Sequence, residues 1–159
     1  MHTKVLEILE YYKIIDRLET YADFSASADL AHQLTPSSDL DETLRRQATT
    51  REARYVMSLN ADVSFQNAQD IRGALGLARR DGVLEPAELL AIRQTLIVSR
   101  KVRRVLENMQ AEVSHLFAYA ESLPVGLGLV DLISQTISDR GDVMDSASQE
   151  LGNIRRDMK

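Results

Sequence analysis

Residues 86–121 read PAELLAIRQTLIVSRKVRRVLENMQAEVSHLFAYAE, and this stretch decides the fold class. Its apolar side chains recur at steps of three and four residues, which is the spacing of one face of an α-helix. Pro86 and Glu88 favour a helix start, because proline suits the first helical position and acidic side chains suit the first turn. The pattern predicts helical structure to about residue 121, with no internal glycine or proline.

The length of this segment argues against one straight helix inside a compact body. At about 1.5 Å per residue it would span about 52 Å. A compact domain of 159 residues has a diameter of only about 40 Å. The apolar stripe also changes phase between Leu96 and Val102. We therefore predict that the helix breaks or bends around residues 108–114.

Shorter apolar repeats predict further helices on both sides of this segment. They cover residues 4–24, 27–34, 40–60, 71–78 and 129–137, with a polar loop at 61–69 and a last helix near the C-terminus. Ser38 with Asp41 has the spacing of a capping box, and so has Ser146 with Gln149, so helices should open there. Gly82 suits the left-handed position after the helix at 71–78. The whole pattern predicts an all-α fold.

Composition agrees with this fold class and excludes several kinds of protein. Aromatic residues make up 5% of the 159 residues, and seven glycines and three prolines leave few turn signals for an all-β chain. No cysteine is present, which excludes disulfides, thiolate zinc sites and a cysteine nucleophile. The first residues lack the pattern of a signal peptide and no apolar run could span a membrane. The sequence predicts one soluble, cytoplasmic domain over residues 1–159.

Motifs for chemistry are missing from these residues. There is no phosphate-binding Gly-x-x-x-x-Gly-Lys-Ser/Thr loop and no Gly-x-Ser-x-Gly nucleophile elbow. His2, His32 and His115 are far apart and lack partners at metal-ligand spacing, so surface or capping roles explain them better. We therefore predict no catalytic residue, no cofactor and no metal within the chain.

Basic residues cluster on the long helix and allow two interpretations. The cluster comprises Arg100, Lys101, Arg103 and Arg104, and a second group comprises Arg45, Arg46, Arg51 and Arg54. The simpler interpretation is a solvated face with acidic neighbours such as Glu107. The functional interpretation is a phosphate-facing patch at residues 100–104, which would hold a nucleic-acid backbone without stacking its bases. The net charge of −5 argues against nucleic-acid binding over the whole surface.

Several strings in order along the chain resemble one known family, the second bacterial MutS family, whose members suppress recombination. The strings are LEYYKI at 9–14, LTPSSDL at 34–40, DIR at 70–72, DGVL at 81–84, ELL at 88–90, GDVMDSAS at 141–148 and IRR at 154–156. Three positions depart from the family pattern. Ser27 stands where glycine is usual, Asp81 replaces the first glycine of a Gly-Gly pair, and Gln149 replaces a proline.

The resemblance implies which residues of this chain are family signatures and which domains of the complete protein lie outside the chain. The structural signatures are Pro36, Asp39, Asp70, Arg72, Gly82, Gly141, Asp145, Ser146, Arg155 and Arg156. The resemblance places this chain at the start of a helical core domain, cut near residues 146–159 where a coiled-coil lever and clamp would begin. Domains outside the chain would be a dimeric ATPase that uses ATP and Mg²⁺ and an Smr-type nuclease.

The resemblance also implies partners for the complete protein. They are the rest of its own chain, a second copy in a homodimer, and branched DNA. In some members the collided ribosome is a further target. The resemblance implies no membrane partner. The chain itself would be a non-catalytic scaffold that couples the ATPase dimer to the clamp. The alternative from the residues alone is a free-standing helical adaptor, which the long amphipathic helix would also suit.

Overall fold

The computed structural model describes residues 3–59, 63–126 and 128–158, and over these residues the fold is all-α, as predicted. The helices are α1 (Thr3–Ile8), α2 (Tyr11–Glu19), α3 (Ser25–His32), α4 (Leu40–Ser58), α5 (Arg72–Ala78), α6 (Pro86–Asn108), α7 (Ser114–Glu121), α8 (Leu129–Thr136) and α9 (Gln149–Asp157). A single 3₁₀ turn at Asp145–Ala147 precedes α9. Within the described ranges, the β-type pairing is one isolated antiparallel bridge between Ile137 and Val143.

The chain packs as two compact units. Unit 1 comprises residues 1–66 and 101–123, and unit 2 comprises residues 67–100 and 124–159. Helix α6 contributes to both, since the boundary falls between Arg100 and Lys101. Two packed units can belong to one domain, so the single domain over residues 1–159 stays a prediction.

The core of unit 2 is aliphatic and is built around α6. Ile92 and Leu96 are buried with residues from α5 and α8, and partly buried neighbours close the cluster. The cluster contains Ala74, Ile92, Leu96, Val130 and Ile133, flanked by Ile71, Leu84 and Leu89. Burying such side chains contributes roughly 1.5–3 kcal/mol each.

Unit 1 buries the later part of α6 together with α7 and α4. Val102, Leu106, Val113 and Ala120 are buried, and so is Val56 of α4. The predicted phase change in the apolar stripe is therefore real. Residues before it are buried in unit 2 and residues after it are buried in unit 1.

The predicted break in the long helix is confirmed. Helix α6 ends at Asn108 and α7 begins at Ser114. A tight turn joins them, in which the N–H groups of Glu112 and Val113 donate to the carbonyl of Met109 at 3.0 and 3.1 Å. The 23 residues of α6 span about 35 Å.

The prediction of one helix over 4–24 is wrong. The helix breaks between α1 and α2, where Glu10 adopts φ 52° and ψ 35°, the left-handed conformation. The N–H of Glu10 donates to the carbonyl of Glu7 at 3.0 Å, which closes the end of α1. The apolar spacing continues through the break, so the periodicity alone did not reveal it. Ile8, Ile14 and Tyr21 are largely exposed around it.

Two predicted helix caps are displaced, one by a single residue and the other by two. Asp39, and not Ser38, caps α4, because its carboxylate accepts from the N–H groups of Asp41 and Glu42. Ser148, and not Ser146, caps α9, since its hydroxyl accepts from the N–H of Leu151 at 3.1 Å. In both places two good capping residues lie close together, and the turn geometry selects the later one.

The left-handed residue after α5 is Asp81, with φ 56°, and not Gly82. Gly82 is instead required for close packing, because a Cβ there would lie 3.0 Å from the Leu77 carbonyl oxygen and would meet the Leu77 side chain. The N–H of Gly82 donates to that same carbonyl at 3.0 Å. Aspartate tolerates the left-handed conformation better than most side chains, which explains how it replaces glycine here.

No helix in the described part of the chain is both long enough and apolar enough to cross a membrane.

Candidate functional site

Helix α7 in unit 1 is held at its N-terminus by one side chain of α4. Glu52 Oε2 lies 2.9 Å from the backbone nitrogen of Leu116, and Glu52 Oε1 lies 3.3 Å from that of His115. Oε1 also lies 2.7 Å from Nδ1 of the His115 ring. The carboxylate thus satisfies N–H groups that the first turn of a helix leaves unpaired. We call Glu52, His115 and Leu116 the α4–α7 lock.

The lock changes the acidity of Glu52. Burial alone would raise the pKa of this carboxyl group, whose side chain is 14% exposed. The hydrogen bonds from the Leu116 N–H and from the ring and N–H of His115 outweigh burial and hold the pKa below its usual value. The charged form is therefore favoured at the helix start, where the macrodipole also favours it.

The other end of α7 is held by an arginine of α6. Arg103 Nη1 donates to the carbonyls of Leu123, at 2.9 Å, and Glu121, at 3.3 Å, just where α7 ends. Arg103 Nε donates to Glu107 Oε1 at 2.8 Å. A cation is favourable at a helix C-terminus for the same reason that an anion is favourable at the start. Both ends of α7 are thus fixed by charged side chains.

This role of Arg103 bears on the predicted phosphate-facing patch. Arg100, Lys101 and Arg104 are exposed, whereas the Arg103 side chain is 24% exposed and engaged with α7. Arg100 belongs to unit 2, and the other three residues belong to unit 1. The patch at residues 100–104 stays a prediction, and within it Arg103 has a structural role that sequence reasoning missed.

Several of the signature residues lie at turns and close them. Asp39 caps α4, and Pro36 lies in the preceding turn. Asp70 and Arg72 form a two-pronged ion pair at the start of α5, in which Arg72 Nε and Nη2 lie 2.9 and 2.5 Å from the carboxylate oxygens. These contacts fix the direction in which the chain enters each helix.

A second group of signature residues meets where the chain enters α9. Gly141 has φ 88° in the turn that brings Ile137 opposite Val143. Arg155 Nη1 donates to Asp145 Oδ1 at 2.6 Å and to the carbonyl of Val143 at 2.9 Å. The hydroxyl of Ser146 donates to the carbonyl of Gln135 at 2.7 Å, which ties the 3₁₀ turn to α8. Arg156 is exposed beside a cavity of about 570 Å³ that Asp145 and Ser146 also line.

Unit 1 contains a groove between α2, the turn at 34–37 and α4. Its volume is about 850 Å³. We call it the arginine groove; its lining consists of Tyr11, Leu34, Thr35, Pro36, Ser37, Thr43, Arg46, Gln47, Thr50, Arg51, Arg54, Tyr55 and Ser58. Sequence analysis grouped Arg46, Arg51 and Arg54 on one helix, but only the fold shows that they share a cavity with two tyrosines.

The histidines follow the surface and capping roles expected of them where the structure describes them. His32 Nε2 lies 2.9 Å from Glu19 Oε2, and His115 belongs to the α4–α7 lock. His2 lies outside the described residues. Over the described ranges, no group of three or more histidine, aspartate or glutamate side chains is placed to hold a metal ion.

The chain is similar over its whole length to proteins named Endonuclease MutS2. It is 35% identical to the protein of Geobacillus sp. (strain WCH70) over 162 residues, covering 100% of this chain and 21% of that relative. The corresponding figures for Brevibacillus brevis are 33% over 161 residues, 100% and 20%, and for Clostridium novyi 34% over 163 residues, 100% and 20%. The chain thus spans about a fifth of the length of these relatives. No family model matches it.

Proposed function

The chain belongs to the MutS2 family, and from that premise we propose that it is the N-terminal helical scaffold of a MutS2-type protein. In this proposal the chain carries no catalytic group of its own. It transmits conformational changes between a dimeric, ATP- and Mg²⁺-dependent motor and a clamp that surrounds branched DNA. Both the motor and the clamp are built from other residues of the complete protein. The complete protein would act as an endonuclease that restrains homologous recombination, with the collided ribosome as a second target.

The observation that carries this proposal is the double attachment of α7. A scaffold must transmit displacement from one helix to the next without loss, so its helix ends must be fixed. Glu52 holds the start of α7 and Arg103 holds its end, with hydrogen bonds at 2.9 Å in both places. Charge-assisted hydrogen bonds of this kind are stronger than neutral ones and define one geometry.

The turns tied by Asp70 with Arg72 and by Asp145 with Arg155 support the same role in unit 2. In each pair a carboxylate and a guanidinium join the chain on the two sides of a turn. Four of the signature residues thus hold turns in place, as a scaffold that transmits motion requires.

Loosening the α4–α7 lock in the complete natural protein tests the coupling. We expect Glu52→Gln to leave ATP hydrolysis without DNA unchanged, because the motor lies outside the chain. Stimulation of hydrolysis by branched DNA should fall by about fivefold or more, which corresponds to a typical coupling free energy. Glu112→Gln is the matched control, because Glu112 is exposed in the turn before α7 and its side chain forms no hydrogen bond to another described residue.

If branched DNA still stimulates ATP hydrolysis normally in Glu52→Gln, although a lower urea midpoint shows that the lock is weakened, the coupling role is refuted.

The reading frame after codon 159 is the simplest discriminator between a scaffold and a free-standing adaptor. Heptads followed by Gly-x-x-x-x-Gly-Lys-Ser support the scaffold, and an immediate stop codon supports the adaptor.

A further inference from the structure

We propose that the arginine groove is a docking site for an acidic, leucine-rich segment of a partner protein. The proposal rests on the charge and shape of the groove and is independent of the scaffold role. It assigns a binding surface to α4, the helix that also carries Glu52 of the α4–α7 lock.

The groove is positively charged in an acidic chain. The sequence has 24 acidic and 19 basic residues, yet the groove lining contains three arginines and no aspartate or glutamate. The remaining polar lining comes mainly from hydroxyl groups, such as those of Thr43 and Ser58, and from Gln47. Such a surface attracts carboxylates and offers them several hydrogen-bond donors.

Two of the three arginines remain available to a ligand. Arg46 is engaged, because its Nη2 lies 2.5 Å from Glu42 Oε1 and its Nη1 donates to the Thr35 carbonyl at 2.9 Å. Arg51 and Arg54 are exposed, and neither forms a hydrogen bond or ion pair with another residue that the structure describes. They are three residues apart on α4, so their side chains lie on neighbouring parts of one face.

The groove is also apolar along one side and continues into a second cavity. Leu34, Pro36, Tyr11 and Tyr55 line it, and a cavity of about 290 Å³ adjoins it, with Tyr11, Leu34 and Thr35 lining both. The apolar lining of the second cavity comes from Leu6, Tyr12 and Ile15. A ligand that fills both must therefore present aliphatic side chains beside its carboxylates.

These features favour a polypeptide over a nucleic acid. Nucleic acids carry a phosphate at every nucleotide, so a strand leaving the arginines would approach Glu7 and Asp16 in the second cavity. It would also approach the acidic start of α4, where Asp41 and Glu42 lie. A peptide avoids this repulsion, because it can place carboxylates against Arg51 and Arg54 and leucines in the apolar part.

Fluorescence anisotropy with defined probes tests the proposal on the complete natural protein. The probe is a labelled amphipathic peptide of repeating Glu-Leu-Leu-Glu, and the comparison ligands are a Lys-Leu-Leu-Lys peptide and an oligothymidylate strand. We expect the acidic peptide to bind in a salt-sensitive manner and the Arg51→Glu/Arg54→Glu variant to bind it about tenfold more weakly. The same variant should gain affinity for the basic peptide, a result that misfolding would not produce.

The matched control is Arg79→Glu/Arg140→Glu, which makes the same change of charge at two exposed arginines outside the groove. This control should bind the acidic peptide as the unchanged protein does. Leu34→Ser should also weaken binding of the acidic peptide, because it removes an apolar contact shared by both cavities.

Equal loss of binding in the groove variant and the control would overturn the proposal, because the attraction would then be a general charge effect. Binding of the oligothymidylate strand, abolished by Arg51→Glu/Arg54→Glu while the acidic peptide fails to bind, would overturn it in favour of a nucleic-acid site. Loss of binding because the protein self-associates through the groove would appear as a variant-dependent change in sedimentation, and it would overturn the proposal in favour of a second copy.

Discussion

Glu52 of α4 lies 2.9 Å from the backbone nitrogen of Leu116, so a residue 64 positions earlier in the chain caps the first turn of α7. A local cap comes from the residue next to the helix start, but that position is Val113, which forms no side-chain cap. The capping function has been taken over by a neighbouring helix, so the stability of α7 depends on the packing of α4 against it.

Glu52→Ala should lower the free energy of unfolding by about 1–2 kcal/mol, the usual cost of losing a helix cap. The loss leaves the N–H groups of His115 and Leu116 without their carboxylate acceptor. Urea unfolding followed by circular dichroism measures the effect, and Glu112→Ala serves as control. Equal midpoints for the two variants would show that the lock contributes nothing to stability.

The lock should also make stability depend on pH. Burial would raise the pKa of Glu52, but its hydrogen bonds hold the folded value below 4.5, so the group is a stronger acid in the folded state. Its contribution is therefore complete above pH of about 4.5 and is lost as pH falls through the lowered folded pKa. The difference in free energy of unfolding between the unchanged protein and Glu52→Gln should therefore shrink as the pH falls below about 4.5. A constant difference down to about pH 3 would contradict the assigned direction.

Arg103→Ala should destabilise the protein by about 1–2 kcal/mol, because the carbonyl of Leu123 loses a charged donor in a partly buried setting. Arg104→Ala, one residue away and exposed, should change stability by less than about 0.5 kcal/mol. Thermal unfolding of the two variants side by side provides the measurement. A larger effect for Arg104 would mean that α7 is not held by Arg103.

Asp81→Gly should raise stability by up to about 1 kcal/mol, because φ 56° strains aspartate and not glycine. Gly82→Ala, at the next position, should lower stability, because its methyl group would press on Leu77. The pair is measured by urea unfolding. The opposite order of stability would show that Gly82, and not Asp81, occupies the left-handed position.

Sequence periodicity predicted the helices well, because a helix that buries one face has apolar residues at many regularly spaced positions. The break between α6 and α7 was predictable for the same reason, since helix length and stripe phase both indicated it. The break at Glu10 was not predictable, because it depends on the conformation of one non-glycine residue. Likewise Asp39 and Ser38 are both good caps, and only the geometry of the turn selects Asp39.

The candidate site was less predictable, because its parts are distant in sequence. Sequence analysis grouped Arg51 and Arg54 on one helix, but it could not reveal that Tyr11 and Leu34 complete the groove. The capping role of Glu52 was not predictable, since its partners lie more than 60 positions away in the sequence. Such pairings depend on how helices pack, which no local pattern encodes.

The turn after α5 also bears on how the protein ages chemically. Among aspartate-containing dipeptides, Asp-Gly is the one most prone to cyclise: the glycine nitrogen attacks the aspartate side chain, water is lost, and hydrolysis of the ring gives isoaspartate. Here the Gly82 nitrogen donates to the Leu77 carbonyl at 3.0 Å, so it is held away from that attack. The folded turn thus protects its own covalent structure, and isoaspartate at position 81 would mark molecules that have spent time with this turn open.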